Sequence, residues 1–297
     1  MAAGDHALRL DDWVRSSGLP RIEAQALIEH VLGLSRARQA ARPELPIGGA
    51  DRDHLDRLAT RLHAGEPLAY LLGSRGFHGL DFVVTPDVLV PRPETELLVD
   101  LALDRIDALP PGSPRRVLDL GTGSGAIAIT LAARRPALEV WAVDSSPPAL
   151  QVAKHNATRL LDAQRPGGPL RFVRSDWFDA LAALQPACPR FDCIVSNPPY
   201  IAAHDPHLPA LRFEPALALV GADPTADGLG DIRRIVDQAT RFLVPDGWLL
   251  LEHGYDQGAA VRAILESAGY ADVRSHRDLA GIERVGAGRC PGTADDQ

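Results

Sequence analysis

Hydrophobic positions along the chain keep helical spacing over residues 1–75 and then change period. Leu8, Trp13 and Val14 share a face, and Gly18 stops the run. The stretch "PRIEAQALIEHVLGL" begins on Pro20 and ends at Gly33, a residue type suited to closing a helix. Leu55, Leu58 and Leu62 fall at i, i+3 and i+7 of a segment closed by Gly65, and "PLAYLLG" predicts one more helix from Pro67 to Leu72. Residues 1–75 therefore read as a small helical bundle. From Gly76 the texture differs. "FHGLDFVVTPDVLV" has strand composition with Gly79 at a turn. "PRPETELLVDLALDRIDAL" predicts a helix with Pro93 at its start and acids in its first turn, where they suit the macrodipole.

Beyond "PPGSP", short apolar runs alternate with helical patterns. The runs are "RVLDLG", "LEVWAVD", "LRFVRSD", "FDCIVSN" and "GWLLLEHG"; the helical segments between and after them include "AIAITLAARR", "PPALQVAKHNATRLL", "IRRIVDQATRFL" and "GAAVRAILESAGY". Strands that are apolar end to end and separated by helices predict an α/β fold, a mostly parallel sheet with both faces covered. The C-terminal "DVRSHRDLAGIERVGAGR" predicts two further strands, antiparallel across a short turn at Ala280-Gly281.

Composition narrows the class. The 297 residues are 45% hydrophobic, with a formal net charge of −8 and a pI near 5.7. That balance disfavours a protein whose main task is gripping nucleic acid. Cys188, Cys193 and Cys290 are an odd count without CxxC spacing, so neither a disulfide framework nor a metal site is expected, and a cytoplasmic setting fits. The N-terminal "MAAGDHALRLDDWVRSSG" carries charges every few residues, unlike a signal peptide, and no later apolar run is long enough to span a bilayer. In residues 1–75 acids balance arginines, and the bundle reads equally as a stabilising appendage or as a docking module.

Candidate chemistry gathers at the ends of the predicted strands, where open α/β sheets bind ligands. "VLDLGTGSGAIAI" is strand, glycine-rich turn and helix; Gly121, Gly123 and Gly125, with Thr122 and Ser124 between them, let backbone approach a ligand closely. The next strand ends in Asp144, roughly 20 residues on, at the spacing for hydrogen bonds to ribose hydroxyls. The turn reads G-x-G-x-G rather than the dinucleotide G-x-G-x-x-G, and Asp119 precedes it. An acid there repels a pyrophosphate but suits a cationic amino-acid group, which favours S-adenosylmethionine (SAM) over NAD. The bland alternative for Asp119 is a strand-end carboxylate capping backbone amides. On the third strand, Asp176 can accept from an adenine amino group and Trp177 can cover the adenine face.

The fourth strand stops in "VSNPPYI". Pro198 biases Asn197 to an extended conformation, and neither Pro198 nor Pro199 can donate to a ladder. The stretch thus offers a rigid pair of acceptors, the Asn197 side-chain oxygen and a proline carbonyl, with Tyr200 as a flat face. Two fixed acceptors suit a planar –NH₂ group. Holding its two N–H bonds encourages lone-pair character at a nitrogen that is otherwise a poor nucleophile, so positioning and preorganised electrostatics carry the rate. The residues alone reach this far: a methyltransferase acting on a planar amino group.

Taken end to end, the chain resembles the peptide chain release factor glutamine N5-methyltransferases. The resemblance is carried by "EPLAYLLGSRGFHGLDFVVTPDVLVPRPETELLVD", "VLDLGTGSGAIAI", "VDSSPPALQVAKHNA", "SNPPYI", "FEPALALVGADPTADGLGDIRRIV" and "RDLAGIERV". The Asn-Pro-Pro-Tyr signature is shared with DNA adenine-N6 and RNA guanine-N2 methyltransferases; "PRPETE" and "FEPALAL…DGL" are more specific. The resemblance implies a helical substrate-docking domain over 1–75, a β-hairpin linker over 76–91, and a seven-stranded Rossmann-like SAM-dependent methyltransferase domain over 92–297. It implies a SAM site using the 121–125 turn, Asp144, Trp177 and Asn197, with 197–200 gripping the substrate amide. The expected target is the glutamine of the Gly-Gly-Gln tripeptide in class 1 release factors, and S-adenosylhomocysteine the by-product. An amino methyltransferase acting on adenine or guanine would need a basic target-recognition face, which the neutral bundle does not offer. A SAM-binding regulator would have no use for acceptors aimed at a methyl donor.

Overall fold

The computed structural model describes residues 8–110, 115–184, 187–222 and 225–292. Residues 1–7 of the charged N-terminal stretch, 111–114 of "PPGSP" and 223–224 of the "FEPALAL…DGL" segment lie outside the described residues. Two compact units divide the chain, Met1–Ser74 and Arg75–Gln297.

In the first unit the described helices are α1 (Leu10–Ser16), α2 (Arg21–Leu32), α3 (Arg36–Ala41), α4 (Gly49–His63) and α5 (Leu68–Leu72). The helical period delivers Trp13, Leu27, Ile28 and Leu55 to one buried cluster. Trp13 lies fully inside, and its Nε1 is satisfied by donating to Asp56 Oδ1 at 2.7 Å. Gly33 and Gly73 end α2 and α5 in the left-handed conformation, at φ 65° and 71°. The sequence reading gave no helix at α3, a single polar turn and a half capped by the Ser35 side chain, which accepts from Arg38 N.

The second unit begins with a hairpin, β1 (Ser74–Phe77) and β2 (Leu80–Val83). It starts two residues earlier than the expected linker, and residues 84–91 form no strand. Pro93–Thr95 is a 3₁₀ turn leading into α6 (Glu96–Asp107). There follow β3 (Arg116–Leu120), α7 (Ala126–Arg134), β4 (Glu139–Asp144), α8 (Pro147–Leu160), β5 (Arg171–Arg174), α9 (Asp179–Ala182) and β6 (Phe191–Ser196). Next come a 3₁₀ turn (Leu208–Leu211), α10 (Ala216–Val220), α11 (Gly230–Ala239), β7 (Leu243–Glu252), α12 (Gly258–Ser267), β8 (Ala271–Arg277) and β9 (Glu283–Arg289).

Seven strands make one sheet in the order β5-β4-β3-β6-β7-β9-β8. Strands β3 to β7 pair in parallel, and β9 pairs antiparallel with both β7 and β8. Alternation along each strand feeds two cores. Val117, Val140, Cys193, Val195 and Leu250 pack beneath α6 and α7, while Leu118, Trp141, Ile194, Leu249 and Leu251 pack on the opposite face with α11 and α12. Asn156 on α8 ties the hairpin to the glycine turn. It is wholly buried, exchanges bonds with Val83 N (2.8 Å) and Val83 O (2.9 Å), and donates to Ser124 O at 2.9 Å.

Gly125 shows how tightly this corner is packed. Its φ is +84°, and an added Cβ would lie 2.6 Å from Ile129 Cδ1 and 3.3 Å from Ala153 Cβ. Gly125→Ala is expected to destabilise the second unit by about 2 kcal/mol, through left-handed strain plus overpacking. A urea midpoint lowered without a change in slope would register it; an unchanged midpoint would mean that Ile129 yields freely.

Candidate functional site

A cleft of about 850 Å³ opens at the carboxyl ends of β3, β4, β5 and β6, within the roughly 300–1,000 Å³ range of small-molecule sites. Its floor is the glycine turn. Gly121, Gly123 and Gly125 all have positive φ, at 71°, 54° and 84°, so the chain turns twice between the end of β3 and the start of α7. Gly121, Thr122, Gly123 and Ser124 line the cleft, whereas Gly125 is spent on packing against Ile129 and Ala153 and does not.

Asp119 corrects the sequence reading in a similar way. Its side chain falls on the α6/α7 face of β3, wholly buried, and does not line the cleft. Oδ2 accepts from the Thr122 hydroxyl (2.7 Å) and from Ala128 N (3.2 Å), so the carboxylate braces the turn and the start of α7 from beneath. Burial pushes its pKa up to about 7, against the downward pull of these two bonds. Oδ1 has no hydrogen-bond partner among the described residues.

Asp144 ends β4 at the cleft wall. Oδ2 accepts from Gly123 N at 2.8 Å and Oδ1 from Ser146 N at 2.9 Å, so one carboxylate aligns both the glycine turn and the turn that starts α8. Burial raises its pKa while these amides lower it. Each oxygen keeps lone-pair capacity for a further donor. Trp177 sits at φ +45°, a left-handed backbone costing about 1–3 kcal/mol. The surroundings hold it there: its Nε1 donates to Asp231 Oδ1 at 3.0 Å, and the indole edge lies against Gly121, 3.5 Å from where a Cβ would stand. Asp176 also lines the cleft, but Arg234 claims its Oδ2 at 2.7 Å.

Asn197 and Pro199 line the far side; Pro198 is buried behind them. The Asn197 Nδ2 donates to Thr95 Oγ1 at 3.3 Å, which leaves Oδ1 as the free end of the amide. The Pro198 carbonyl accepts no backbone hydrogen bond among the described residues. Tyr200 departs from its expected role. Its ring packs against the α11/α12 core, its hydroxyl donates to Glu252 Oε1 at 3.3 Å, and it does not line the cleft. Burial raises the phenol's pKa, so it stays protonated and serves as an internal strut.

Several cleft residues were missed by the sequence reading. Pro86, Val88 and Leu89 of the expected linker form one wall with Arg92 just beyond it, and Leu217, Gly221 and Thr225 form another. Glu214 pins the two walls together: it is nearly fully buried, Oε2 accepts from Val90 N at 3.1 Å, and Oε1 accepts from Arg92 at 2.5 Å. Gly228 seals the second wall onto the Asn-Pro-Pro-Tyr segment, since a Cβ there would stand 2.2 Å from the Tyr200 carbonyl oxygen. The signal was present in "PRPETE" and "FEPALAL…DGL", which carried the resemblance without local periodicity to give them a role.

Among the described residues the lining holds Asp87, Asp144, Asp176 and Asp231 against Arg92 and Arg234, and no histidine or cysteine. Such an acid-rich cleft suits a cationic cofactor better than a pyrophosphate. With the positive-φ glycine cradle and the orphaned Asp119 oxygen beneath it, the residues fit a nucleoside bearing a charged amino-acid tail.

The chain is similar to several known proteins. A family profile described as "Methyltransferase small domain" matches residues 96–212, and one described as "PrmC N-terminal domain" matches residues 14–73. The release factor glutamine methyltransferase of Burkholderia pseudomallei is 54% identical over 94% of this chain and 95% of its own length. That of Escherichia coli K12 is 46% identical over 93% of this chain and 94% of its own. Among solved structures, human methyltransferase 10 domain containing protein has a TM-score of 0.52 at 17% identity, covering 72% of this chain and 88% of that one, a likeness of fold alone.

Proposed function

Since the chain belongs to the release factor glutamine methyltransferases, we propose that its cleft methylates N5 of the glutamine side chain in the Gly-Gly-Gln motif of class 1 release factors. The enzyme is a SAM-dependent methyltransferase of release-factor glutamine. SAM supplies an electrophilic methyl group on a sulfonium and leaves as S-adenosylhomocysteine. The glycine turn 121–124 and Asp144 would hold the nucleoside end, Trp177 the adenine face, and Asp119 would brace the turn from below.

The observation that carries the reading is the Asn197 amide. With Nδ2 donating to Thr95, Oδ1 is the end of the amide left to accept at the cleft. Oδ1 and the Pro198 carbonyl then take the two N–H bonds of the substrate carboxamide. This fixes the nitrogen in place and withdraws its lone pair from amide resonance, a gain realised only as the new bond forms. The proton released from nitrogen leaves along one of these hydrogen bonds. Among the described residues no imidazole or thiol lines the cleft to take it, so it passes to water.

Residues 1–75 we assign to docking the release factor, and we place the enzyme in the cytoplasm with its substrate. No helix among the described residues is long and apolar enough to cross a membrane. The family substrate is a protein, so no direct nucleic-acid contact is proposed. Incubation with SAM and a release factor, followed by mass spectrometry of the tripeptide-containing fragment, should find one added methyl on glutamine and none after Gln→Ala in the substrate. Methyl transfer to an oligonucleotide, with release factor untouched, would reverse the assignment. Whole release factor should also outperform a short Gly-Gly-Gln peptide in kcat/KM by at least ~10-fold, because docking away from the cleft adds binding energy the peptide lacks. Equal values would remove the docking role from residues 1–75.

A further inference from the structure

The large apolar side chains that the second unit leaves in solvent are gathered at one edge of its sheet. Among the described residues of that unit they are Leu217 (42% exposed), Tyr255 (69%), Ile282 (37%) and the wholly exposed Leu279. Leu217 lines the cleft. Tyr255 follows the carboxyl end of β7, and Leu279 and Ile282 lie in the turn between β8 and β9. Because β9 runs antiparallel to β7, with Val285 opposite Glu252, that turn stands at the same edge as the cleft. His253 N donates to Arg284 O at 2.9 Å, which sets the stretch carrying Tyr255 beside the start of β9. Scattered singly, exposed apolar residues are ordinary; gathered at the edge where a site opens, they mark an interaction surface. We propose that Tyr255, Leu279 and Ile282 form a docking ridge for the body of the release factor, beside the Asn-Pro-Pro-Tyr segment.

The occupant follows from where the ridge lies. The substrate glutamine has to reach Asn197 at the end of β6, so the protein surface that carries it passes over the neighbouring strand ends. β7 lies next to β6 and β9 next to β7, which at about 4.8 Å per strand puts the start of β9 roughly 10 Å from the end of β6. The rim between them is continuous. Gln257 Nε2 donates to the Tyr200 carbonyl (3.0 Å) and to the Asp227 carbonyl (2.9 Å), and nearby Thr225 lines the cleft. A folded protein can cover cleft and ridge together, whereas a short peptide filling the cleft has no surface left to cover the ridge.

The turn is built to hold its leucine outward. Asp278 Oδ1 accepts from Ala280 N and Ile282 N, both at 2.9 Å, and Oδ2 accepts from Arg284 Nε at 3.2 Å. Asp278 N donates to Ile282 O at 2.9 Å, and Arg277 Nη1 donates to Gly281 O at 2.7 Å. Gly281, at φ +80°, supplies the left-handed step that closes the loop. Leu279 is thus carried on a fixed backbone and belongs to neither core. A partner that buries it has little left to order, which favours binding.

The inference rests on release factor being the substrate, and the test keeps the two apart. Wild type, Leu279→Asp, Leu279→Ser, Tyr255→Ser and Ala163→Asp are assayed on whole release factor and on a Gly-Gly-Gln peptide, with SAM affinity read by calorimetry. A wild type that methylates neither would remove the underlying reading, and the ridge with it. Leu279→Asp is expected to lower kcat/KM on whole release factor at least ~10-fold through KM, and Leu279→Ser and Tyr255→Ser about fivefold. Saturated kcat, peptide turnover and SAM affinity should stay within about twofold, since neither Leu279 nor Tyr255 lines the cleft. Ala163 is exposed in the loop leading from α8 to the start of β5, at the opposite edge, so Ala163→Asp adds the same charge without touching the ridge and should change nothing. An active wild type with unchanged KM for release factor in Leu279→Asp and Tyr255→Ser overturns the proposal. So does a matching loss of saturated kcat or SAM affinity, which would make the turn a support of the cleft rather than a docking surface. Sedimentation supplies the last check: a wild-type dimer that Leu279→Asp dissociates would give the ridge to a second copy of the chain instead.

Discussion

Asn197→Ala is expected to fold, to bind SAM within a few-fold of wild type, and to turn over release factor about a hundredfold more slowly. The magnitude follows from removing one preorganised group that acts on the reacting amide, which typically lowers kcat by about 10²–10³. The backbone is held independently of that side chain. Ile201 N donates to Leu219 O at 3.0 Å, and Gln257 Nε2 donates to the Tyr200 carbonyl at 3.0 Å. Turnover should therefore suffer more than stability. Single-turnover kinetics with thermal unfolding of the same preparation would check this: a variant that unfolds marks Asn197 as a strand terminator, and one with full turnover ends its role as acceptor.

Asp144→Ala is expected to weaken SAM binding about ten- to a hundredfold, equivalent to about 1.4–2.8 kcal/mol. Two effects combine. The acceptor offered to the ribose hydroxyls disappears, and so do the bonds that align Gly123 N and Ser146 N. Charged hydrogen bonds of this kind contribute about 1.5–3 kcal/mol each, part of which water recovers at the open cleft. Calorimetry reads the change directly. At saturating SAM, kcat should recover most of its value, and an unchanged affinity in a folded protein would remove Asp144 from the cofactor site.

The sheet was legible because its strands are short apolar runs whose alternate residues feed two cores. Val140 and Ala142 go to one face and Trp141 and Val143 to the other, so no polar residue interrupts the run. The start of β7 was not legible: "VPDG" reads as a turn, yet Leu243 already pairs with Phe191 before the register shifts. Nor were α3, α9 and α10, each too short for a helical period to declare itself. At the site, glycines and strand-end acids stood out because their chemistry is local. What escaped was long-range pairing. Glu214 reaches across to Val90 and Arg92, Glu252 reaches Tyr200, and Arg234 claims Asp176; separations of this kind leave no periodic trace. Tyr200 was misread for the same reason, since nothing in "NPPYI" announces the buried carboxylate that draws its ring inward.

The strand order has a consequence for how the molecule is made. β9 follows β8 in the chain but lies between β7 and β8, so β8 has no place in the sheet until β9 has been synthesised. Until then β7, whose Leu249 and Leu251 belong to the core, presents a bare edge of unpaired amides and carbonyls. An exposed apolar edge of this kind templates pairing with other chains. A nascent chain paused before residue 283 would be a sticky intermediate in need of a chaperone, while one released after residue 292 would close on itself. Sedimentation of fragments 1–282 and 1–292 translated in vitro should find the shorter in aggregates and the longer as dispersed protein.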